Sequence, residues 1–551
     1  MKITNIHKIK FEMIAILFLS YLSFWLIYKL NITNDDYLIF IQGDYLMHSS
    51  TYFGFLYDEW NFPLFSSDKF FFNKELNLLW ADNNPLYSLI LKVFFSLTNI
   101  AIPNPATYWL LISYLFMGIF SYKLLNELGI DSYIYKYIGS LIFLSLPLLP
   151  TIASEHYTLQ SHWLIVASFY YYLKAQNNKK YLIQLGFLSG IGLMIQIYFF
   201  PMIIMVYFIS LFPLTFGTSL KYYIQSILII SFKLFIYLFV FWDGTKLFSN
   251  NYITNSQSNF TPMWSAETNS FFCSQSSFEF INKYLLCYYP YTNNNIEAYA
   301  YLGIGIIFGL IFILFRLKVL FPFFKKYSLL IFGAILLLLL SFGNKFKLFH
   351  KQIFEFELLG LQSIFYEYFR AHGRFSYVFY YLVVIMVIFG IYKIFNNRNI
   401  AIIILFMVLN LQLYDLNHII NNSNLNDFNL QTSEVSQYKD YLESYENISS
   451  SLKLNQENRL FIYPHDNCEN DYDKLHLGLQ FLKFNGSLSS FRYRGGLNDE
   501  ICSGIDLTYI LENLNPIHLA VDKEYIELFK NNYECSEIKF LYSKDFLYCS
   551  K

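Results

Sequence analysis

The sequence predicts an α-helical integral membrane bundle that carries a C-terminal extracytoplasmic α/β domain. Three observations predict it. Hydrophobic residues make up 55 % of the 551-residue chain and charged residues only 14 %, against roughly 25 % charge in soluble domains. Long charge-free apolar runs recur through the first three quarters of the chain. Basic residues and cysteines then segregate into different loops. A net charge of -1 gives no basic stripe for a nucleic-acid partner.

Crossing a bilayer as a helix takes roughly 20 apolar residues, because lipid offers no partner to a bare backbone amide. Apolar runs lie at 11–30, 86–100, 107–125, 137–152, 158–173, 182–198, 201–216, 224–242, 299–315, 328–342, 377–395 and 399–416. A soluble core has no use for so many. The first run follows Lys2, Lys8 and Lys10 and passes into Asn31, Asn34, Asp35 and Asp36 without a small-residue cleavage site. It reads as a retained signal anchor. The aromatic share of 21 % fits an AT-rich coding bias, so single aromatic residues carry no weight.

Basic residues mark cytoplasmic loops. They cluster at the N-terminus, at Lys174, Lys179 and Lys180, at Lys221, from Arg316 to Lys326, and at Lys393 and Arg398. Placing these inside puts 31–85, the turn at Glu155, 243–298, 343–376 and 417–551 outside. Parity then requires 86–100 to be re-entrant or half-spanning, with eleven full spans around it. The six cysteines, Cys273, Cys287, Cys468, Cys502, Cys535 and Cys549, all fall in loops that charge places outside. An even number in an oxidising compartment reads as disulfides. Cys273 with Cys287 is the simplest pair, and the other four allow three connectivities.

Residues 417–458 are polar and helical in pattern. Strand-like runs follow at Arg459–Tyr463, Ser487–Tyr493, Ile517–Val521 and Ile538–Tyr542, with a turn at Gly495 and Gly496 and helical patterns at 506–513 and 523–531. This is the α/β domain. It has no phosphate-binding glycine loop and no nucleophile elbow, which favours recognition over catalysis.

Ionisable residues at the outer membrane edge are costly there and mark function. In the first outer loop Asp44 and His48 are four apart, on one face if helical. Asp58 and Glu59 follow, and Asp82 sits before Pro85. Glu155 and His156 occupy a turn between two spans, with Gln160 and His162 just beyond. Arg370, His372 and Arg374 precede the run at 377, against the positive-inside bias. A planar guanidinium suits a lipid phosphate or pyrophosphate, and a helix N-terminus adds to that. Asp44, His48, Glu155 and His156 together offer oxygen and imidazole ligands of the kind that suit Mg²⁺ or Mn²⁺, at no diagnostic spacing. The alternative is a set of headgroup anchors and interfacial caps.

The runs GDYLMHSSTYFGFLYDEWNFPLF, WADNNPLYSLILK, SEHYTLQSHWLIVASFYYYLK, EAYAYLGIGIIFGLI and FRAHGRFSYVFYYLVV, with the tail from Cys468 to Cys549, resemble a family of bacterial multi-pass membrane proteins grouped with the GT-C glycosyltransferases. The likeness to that wider group lies in layout: a first span, a long outer loop with an early acidic residue, a many-helix bundle and an outer domain. The resemblance implies an inner-membrane transferase with a periplasmic C-terminal domain. Its donor would be a polyprenyl-phosphate-linked sugar and its acceptor an envelope glycan or lipid. Asp44 would be the general base, and Glu155 occupies the place of a second acidic residue. The first loop lacks the Asp-x-Asp pair of metal-dependent members, which points to a metal-independent reaction. His48, Asp82, His156, Arg370, His372 and Arg374 would contact substrate. Two other readings remain: a transporter or flippase of lipid-linked glycan, disfavoured because no repeat is visible, and a non-catalytic envelope assembly protein.

Overall fold

A computed structural model of the chain describes residues 2–28, 44–67, 69, 76–77, 84–102, 105–153, 156–215, 224, 227–228, 230–234, 265–273, 298–348, 351–355, 369 and 371–422. It also describes the strands 459–463, 487–488, 518–522, 534–537 and 546–550. In chain order the helices are α1 (Lys2–Tyr28), α2 (Asp44–Tyr57), α3 (Pro85–Thr98), α4 (Pro105–Glu127), α5 (Tyr133–Leu144), α6 (Leu148–Ala153) and α7 (Trp163–Asn177). They continue as α8 (Lys180–Ile195), α9 (Phe199–Thr215), α10 (Ile304–Leu314), α11 (Phe321–Lys326), α12 (Ser328–Ser341), α13 (Ser376–Ile394) and α14 (Arg398–Asn422). The chain divides into two compact units, one of residues 1–32, 107–230 and 257–429, the other of 33–106, 231–256 and 430–551.

The first unit is helical. Five stretches of the described residues are long and apolar enough to cross a membrane: Phe11–Tyr28, Pro105–Glu127, Tyr133–Ala153, His372–Ile394 and Arg398–Ile420. A sixth arises if α10 and the segment Leu317–Lys326, bent by 95° from it, count as one. Among the described residues, and by length and apolar character alone, this is fewer than the expected eleven full spans. The apolar runs are there, but backbone breaks shorten the helices within them. The run at 158–173 opens with a 3₁₀ turn at Tyr157–Gln160, which leaves α7 with 15 residues. Extended backbone at Gln196 stops α8 at 16 residues. Gly303, at φ +86°, delays the start of α10, which has 11 residues. The run at 224–242 lies largely outside the described residues.

Helix direction and contacts order the bundle into two ends. The end of α4 meets the end of α7 through a Glu127–Lys174 ion pair of 2.7 Å. Near them the Asp131 amide donates to the Tyr392 hydroxyl at 3.2 Å, and Arg398 lies 3.9 Å from the Tyr392 ring centre. Lys179, Lys180, Arg316, Lys325, Lys326 and Lys393 sit at helix ends facing the same way. The opposite end gathers His156, the 3₁₀ turn that follows it, His162, the 196–199 turn, the start of α10 and the 3₁₀ turn His372–Phe375. There Trp109 donates to the Ser161 hydroxyl at 3.0 Å, and the Ala266 amide donates to the Ser341 carbonyl at 2.8 Å.

Close backbone approach holds α10 to α14. A Cβ added at Gly305 would fall on the Val408 carbonyl oxygen and within 2.8 Å of the Gln412 amide nitrogen. Small residues at such crossings are the usual means of packing helices in lipid. Gly305→Val is therefore expected to lower stability in detergent by about 1–3 kcal/mol through overpacking. Gly190→Ala, at a helical position with nothing within 4 Å, should instead stabilise by about 0.4–1 kcal/mol and serves as the contrasting control in the same thermal-unfolding measurement.

The second unit contains α2, α3 and a small sheet. Between the helices lie a cis Phe62–Pro63 bond and a two-residue pairing of β1 (Ser66–Ser67) with β2 (Leu76–Asn77). Asn84 caps α3 by accepting from the Tyr87 amide at 3.1 Å, Pro85 fills the first position, and Asn99 closes the helix in the left-handed region. Lys92 ties α3 to the loop after α2. Its Nζ donates to the Glu59 carbonyl at 2.9 Å and lies 4.2 Å from the Phe55 ring centre and 4.9 Å from that of Trp60. With 14 residues, α3 is about 21 Å long, short of the roughly 30 Å hydrocarbon core. That length suits a half-spanning element.

In the first unit a hairpin of β3 (Lys345–Leu348) and β4 (Lys351–Glu355) follows α12. In the second, β5 (Arg459–Tyr463), β6 (Ser487–Leu488), β7 (His518–Asp522), β8 (Glu534–Glu537) and β9 (Phe546–Ser550) form one sheet in the order β6-β5-β7-β9-β8. The β6, β5 and β7 strands run parallel, and β9 pairs antiparallel with both β7 and β8. Three of the four expected strands appear, β6 in shortened form. The fourth, Ile538–Tyr542, falls in the link between β8 and β9, outside the described residues. The helices expected in the α/β domain and the Gly495–Gly496 turn also lie outside them, apart from 417–422, which extend α14.

Candidate functional site

The most developed polar cluster belongs to the first unit, at the end opposite to the Glu127–Lys174 pair. Residues 371–375 leave the chain in a tight turn just before α13. Arg374 is buried, 2 % exposed, and its guanidinium lies 4.3 Å from the Tyr198 ring centre. The Tyr198 hydroxyl accepts from the Ala371 amide at 3.0 Å, so one aromatic residue fixes both the turn and the arginine. Phe369 and Phe375 stack edgewise against Tyr198 and each other at 5.6–6.2 Å. His372 is fully buried against Gly343, whose φ of +67° and lack of a Cβ admit the imidazole; a Cβ there would lie 2.5 Å from Nε2.

Across from them stands His162, at the start of α7. It is fully buried and ringed by Tyr377, Phe199 and Tyr381 at 4.7, 5.8 and 5.6 Å. Neither imidazole nitrogen has a hydrogen-bond partner in the structure. A buried polar group in that state costs about 1–3 kcal/mol, so its retention asks for a reason. His156 is buried at the head of the same 3₁₀ turn. Gln196 joins the two walls by donating from Nε2 to the Thr158 hydroxyl at 3.4 Å. Together the cluster offers one planar cation, three imidazoles and several phenols, a set that can hold an oxyanion and move a proton.

The sequence-predicted residues fare unevenly. Arg374, His372 and His156 sit at this end and are buried. His48 is buried in α2 of the second unit. Asp44 is the first residue of α2, and its side chain lies outside the described residues, as do Asp82, Glu155 and Arg370. Of the four residues offered as a metal set, His48 and His156 fall in different units. Cys273 is fully buried, and no free cysteine occurs among the described residues. Cys287, Cys468 and Cys502 lie outside them, and Cys535 and Cys549 fall on β8 and β9.

Sequence reasoning gave His162 no role and missed Asp415 altogether. Asp415 is fully buried near the end of α14, where its Oδ2 accepts from the Ile304 amide at 2.9 Å. Gln412, one turn earlier, accepts from the Ile306 amide at 3.2 Å and donates to the Leu302 carbonyl at 3.1 Å. Two side chains of α14 thus cap the start of α10, doing for it what a local cap residue does elsewhere. Asp415→Ala is expected to destabilise the bundle by about 1–2 kcal/mol, the usual cost of a lost cap. Asp415→Asn, which keeps an acceptor, should recover most of that in the same unfolding assay.

The fold and this cluster define a polytopic α-helical membrane protein with a buried cationic and aromatic centre at one end of its bundle. The chain belongs to the family described as a domain of unknown function, DUF6311, whose profile matches residues 16–417. No curated protein and no solved structure matches it.

Proposed function

We propose that the protein is a bacterial plasma-membrane glycosyltransferase of GT-C-like architecture. It takes a sugar from a polyprenyl-phosphate carrier and gives it to an envelope glycan or lipid acceptor on the outer face. One observation carries the reading: a buried arginine with buried histidines at the bundle end opposite to Lys174, Lys179 and Lys180. By the positive-inside rule the end with Lys174, Lys179 and Lys180 is cytoplasmic and the Arg374 end is the outer one, and loop charge alone reads the loop that holds α2 and the residues 430–551 as extracytoplasmic. Positive charge kept there against that bias matches an anionic partner, and a guanidinium fork suits a phosphate.

In the proposed reaction the acceptor hydroxyl attacks the anomeric carbon, Asp44 takes its proton, and the carrier phosphate departs with the pair of the broken C–O bond. The product is inverted. Arg374, with Arg370, stabilises the charge growing on the leaving phosphate. In this reading Glu155 is the second catalytic acidic residue, and His48, Asp82, His156 and His372 are substrate contacts. The C-terminal domain recognises the acceptor. The polar residues gather near helix ends, which favours transfer at a surface over a transport path, since transporters bind near the midplane.

The test is a mass-spectrometric profile of envelope glycans from a deletion strain, complemented with wild type or with Asp44→Ala at equal protein level. Restoration of one sugar by wild type alone supports the reading and its mass names the sugar. Equal restoration by both proteins removes Asp44 as base and turns the account toward transport or assembly.

A further inference from the structure

We infer that Cys535 and Cys549 form a disulfide that clasps the last β-hairpin of the chain, which leaves Cys468 and Cys502 to pair with each other. The two cysteines lie 14 positions apart in sequence yet at one register position: β8 pairs antiparallel with β9, and Cys535 stands directly opposite Cys549. Directly opposed residues of an antiparallel pair share a face of the sheet, with Cα atoms about 4.5–5.5 Å apart. Disulfides need a Cα separation of roughly 4.4–6.8 Å. The neighbouring pairs are Glu534 with Ser550 and Ser536 with Tyr548, so a slip by one residue would oppose Cys549 to glutamate or serine and turn the two cysteines to opposite faces.

The position gives the bond a purpose. In the order β6-β5-β7-β9-β8, β8 is an edge strand with one neighbour. Edge strands are the part of a sheet most open to fraying and wrong pairing, and this one is four residues long. A covalent link to β9 holds it in register. Formation is an oxidation: each thiol loses one proton and one electron, the Sγ–Sγ bond forms, and both electrons pass by thiol–disulfide exchange to the disulfide of an envelope thiol oxidoreductase, which leaves as its dithiol. The pairing rests on the proposed extracytoplasmic placement of residues 430–551, because the cytoplasm would keep both thiols reduced.

The experiment uses the full-length protein in native membranes. Free thiols are blocked with N-ethylmaleimide before lysis, and the purified chain is cut with trypsin without reductant. Cleavage at lysines places Cys535 on the peptide 531–539 and Cys549 on 545–551. The expected result is one linked species of these two peptides, two hydrogens lighter than their sum, which separates on reduction. Linkage of 531–539 to a peptide bearing Cys468 or Cys502 overturns the pairing and leaves the outward placement standing. Recovery of both peptides with maleimide attached overturns the pairing too. In that case Cys549→Ser protein is treated with a membrane-impermeant maleimide in right-side-out and inverted vesicles. Labelling of Cys535 only in inverted vesicles sinks the placement as well, whereas labelling in right-side-out vesicles preserves it.

Discussion

Asp44→Ala protein, reconstituted with a polyprenyl-phosphate sugar and acceptor, is expected to turn over 10²–10⁴-fold more slowly than wild type, the usual worth of general-base assistance. Asp44 is the first residue of α2, a helix of 14 residues. Alanine there also removes a side chain suited to capping the helix, at about 1 kcal/mol. Asp44→Asn separates the two effects, since asparagine caps as well as aspartate but cannot take a proton. Both variants should lose turnover, and only the alanine protein should lose stability. Wild-type turnover in the asparagine protein would remove Asp44 from the chemistry.

Arg374→Ala is expected to cost 10²–10³-fold in turnover, as loss of one preorganised charge at a developing anion does elsewhere. It should also weaken the fold, because a desolvated cation–π contact is worth about 2 kcal/mol and Arg374 stacks on Tyr198 in a buried position. Arg374→Lys keeps the charge but loses the planar stack and fork, so its turnover should fall between the two. Tyr198→Leu is the companion: it removes the stack and the acceptor for the Ala371 amide while leaving the guanidinium in place. If Arg374→Ala unfolds no more readily than wild type and transfers sugar at the wild-type rate, the arginine is neither phosphate ligand nor structural anchor. Thermal unfolding and initial-rate measurements on the same preparations decide this.

The membrane character was legible from composition, because nothing but lipid tolerates this many charge-free runs. The number of spans was not. A hydropathy run does not show where the backbone leaves the helix, and the breaks at Tyr157–Gln160, Gln196 and Gly303 depend on partners far along the chain. Arg374 and His372 stood out because cations at that helix entrance defy the expected bias. Asp415 stayed hidden because it looks like the polar fringe of an ending span. Its partner, the Ile304 amide, is 111 residues away, and no local pattern announces a cap supplied by another helix. In the C-terminal region short strand-like apolar runs located β5 and β7, while the stretch 538–542 drew the strand signal away from β8 and β9.

The unequal helices have a bearing on the surrounding lipid. The neighbouring α8, α9 and α12 have 16, 17 and 14 residues, which is about 21–26 Å of length, and they present Ile183, Phe187, Phe208, Phe332 and Leu339 outward. A bilayer with a core of roughly 30 Å must thin to meet that flank. Beside α4 or α14, with 23 and 25 residues, it need not. Beside those short helices acyl chains would be compressed and headgroups of the two leaflets would come closer together. A very long isoprenoid tail, too long to lie straight in any leaflet, loses least by settling in such a disordered annulus, so the short-helix flank is the side from which a lipid carrier would be drawn in.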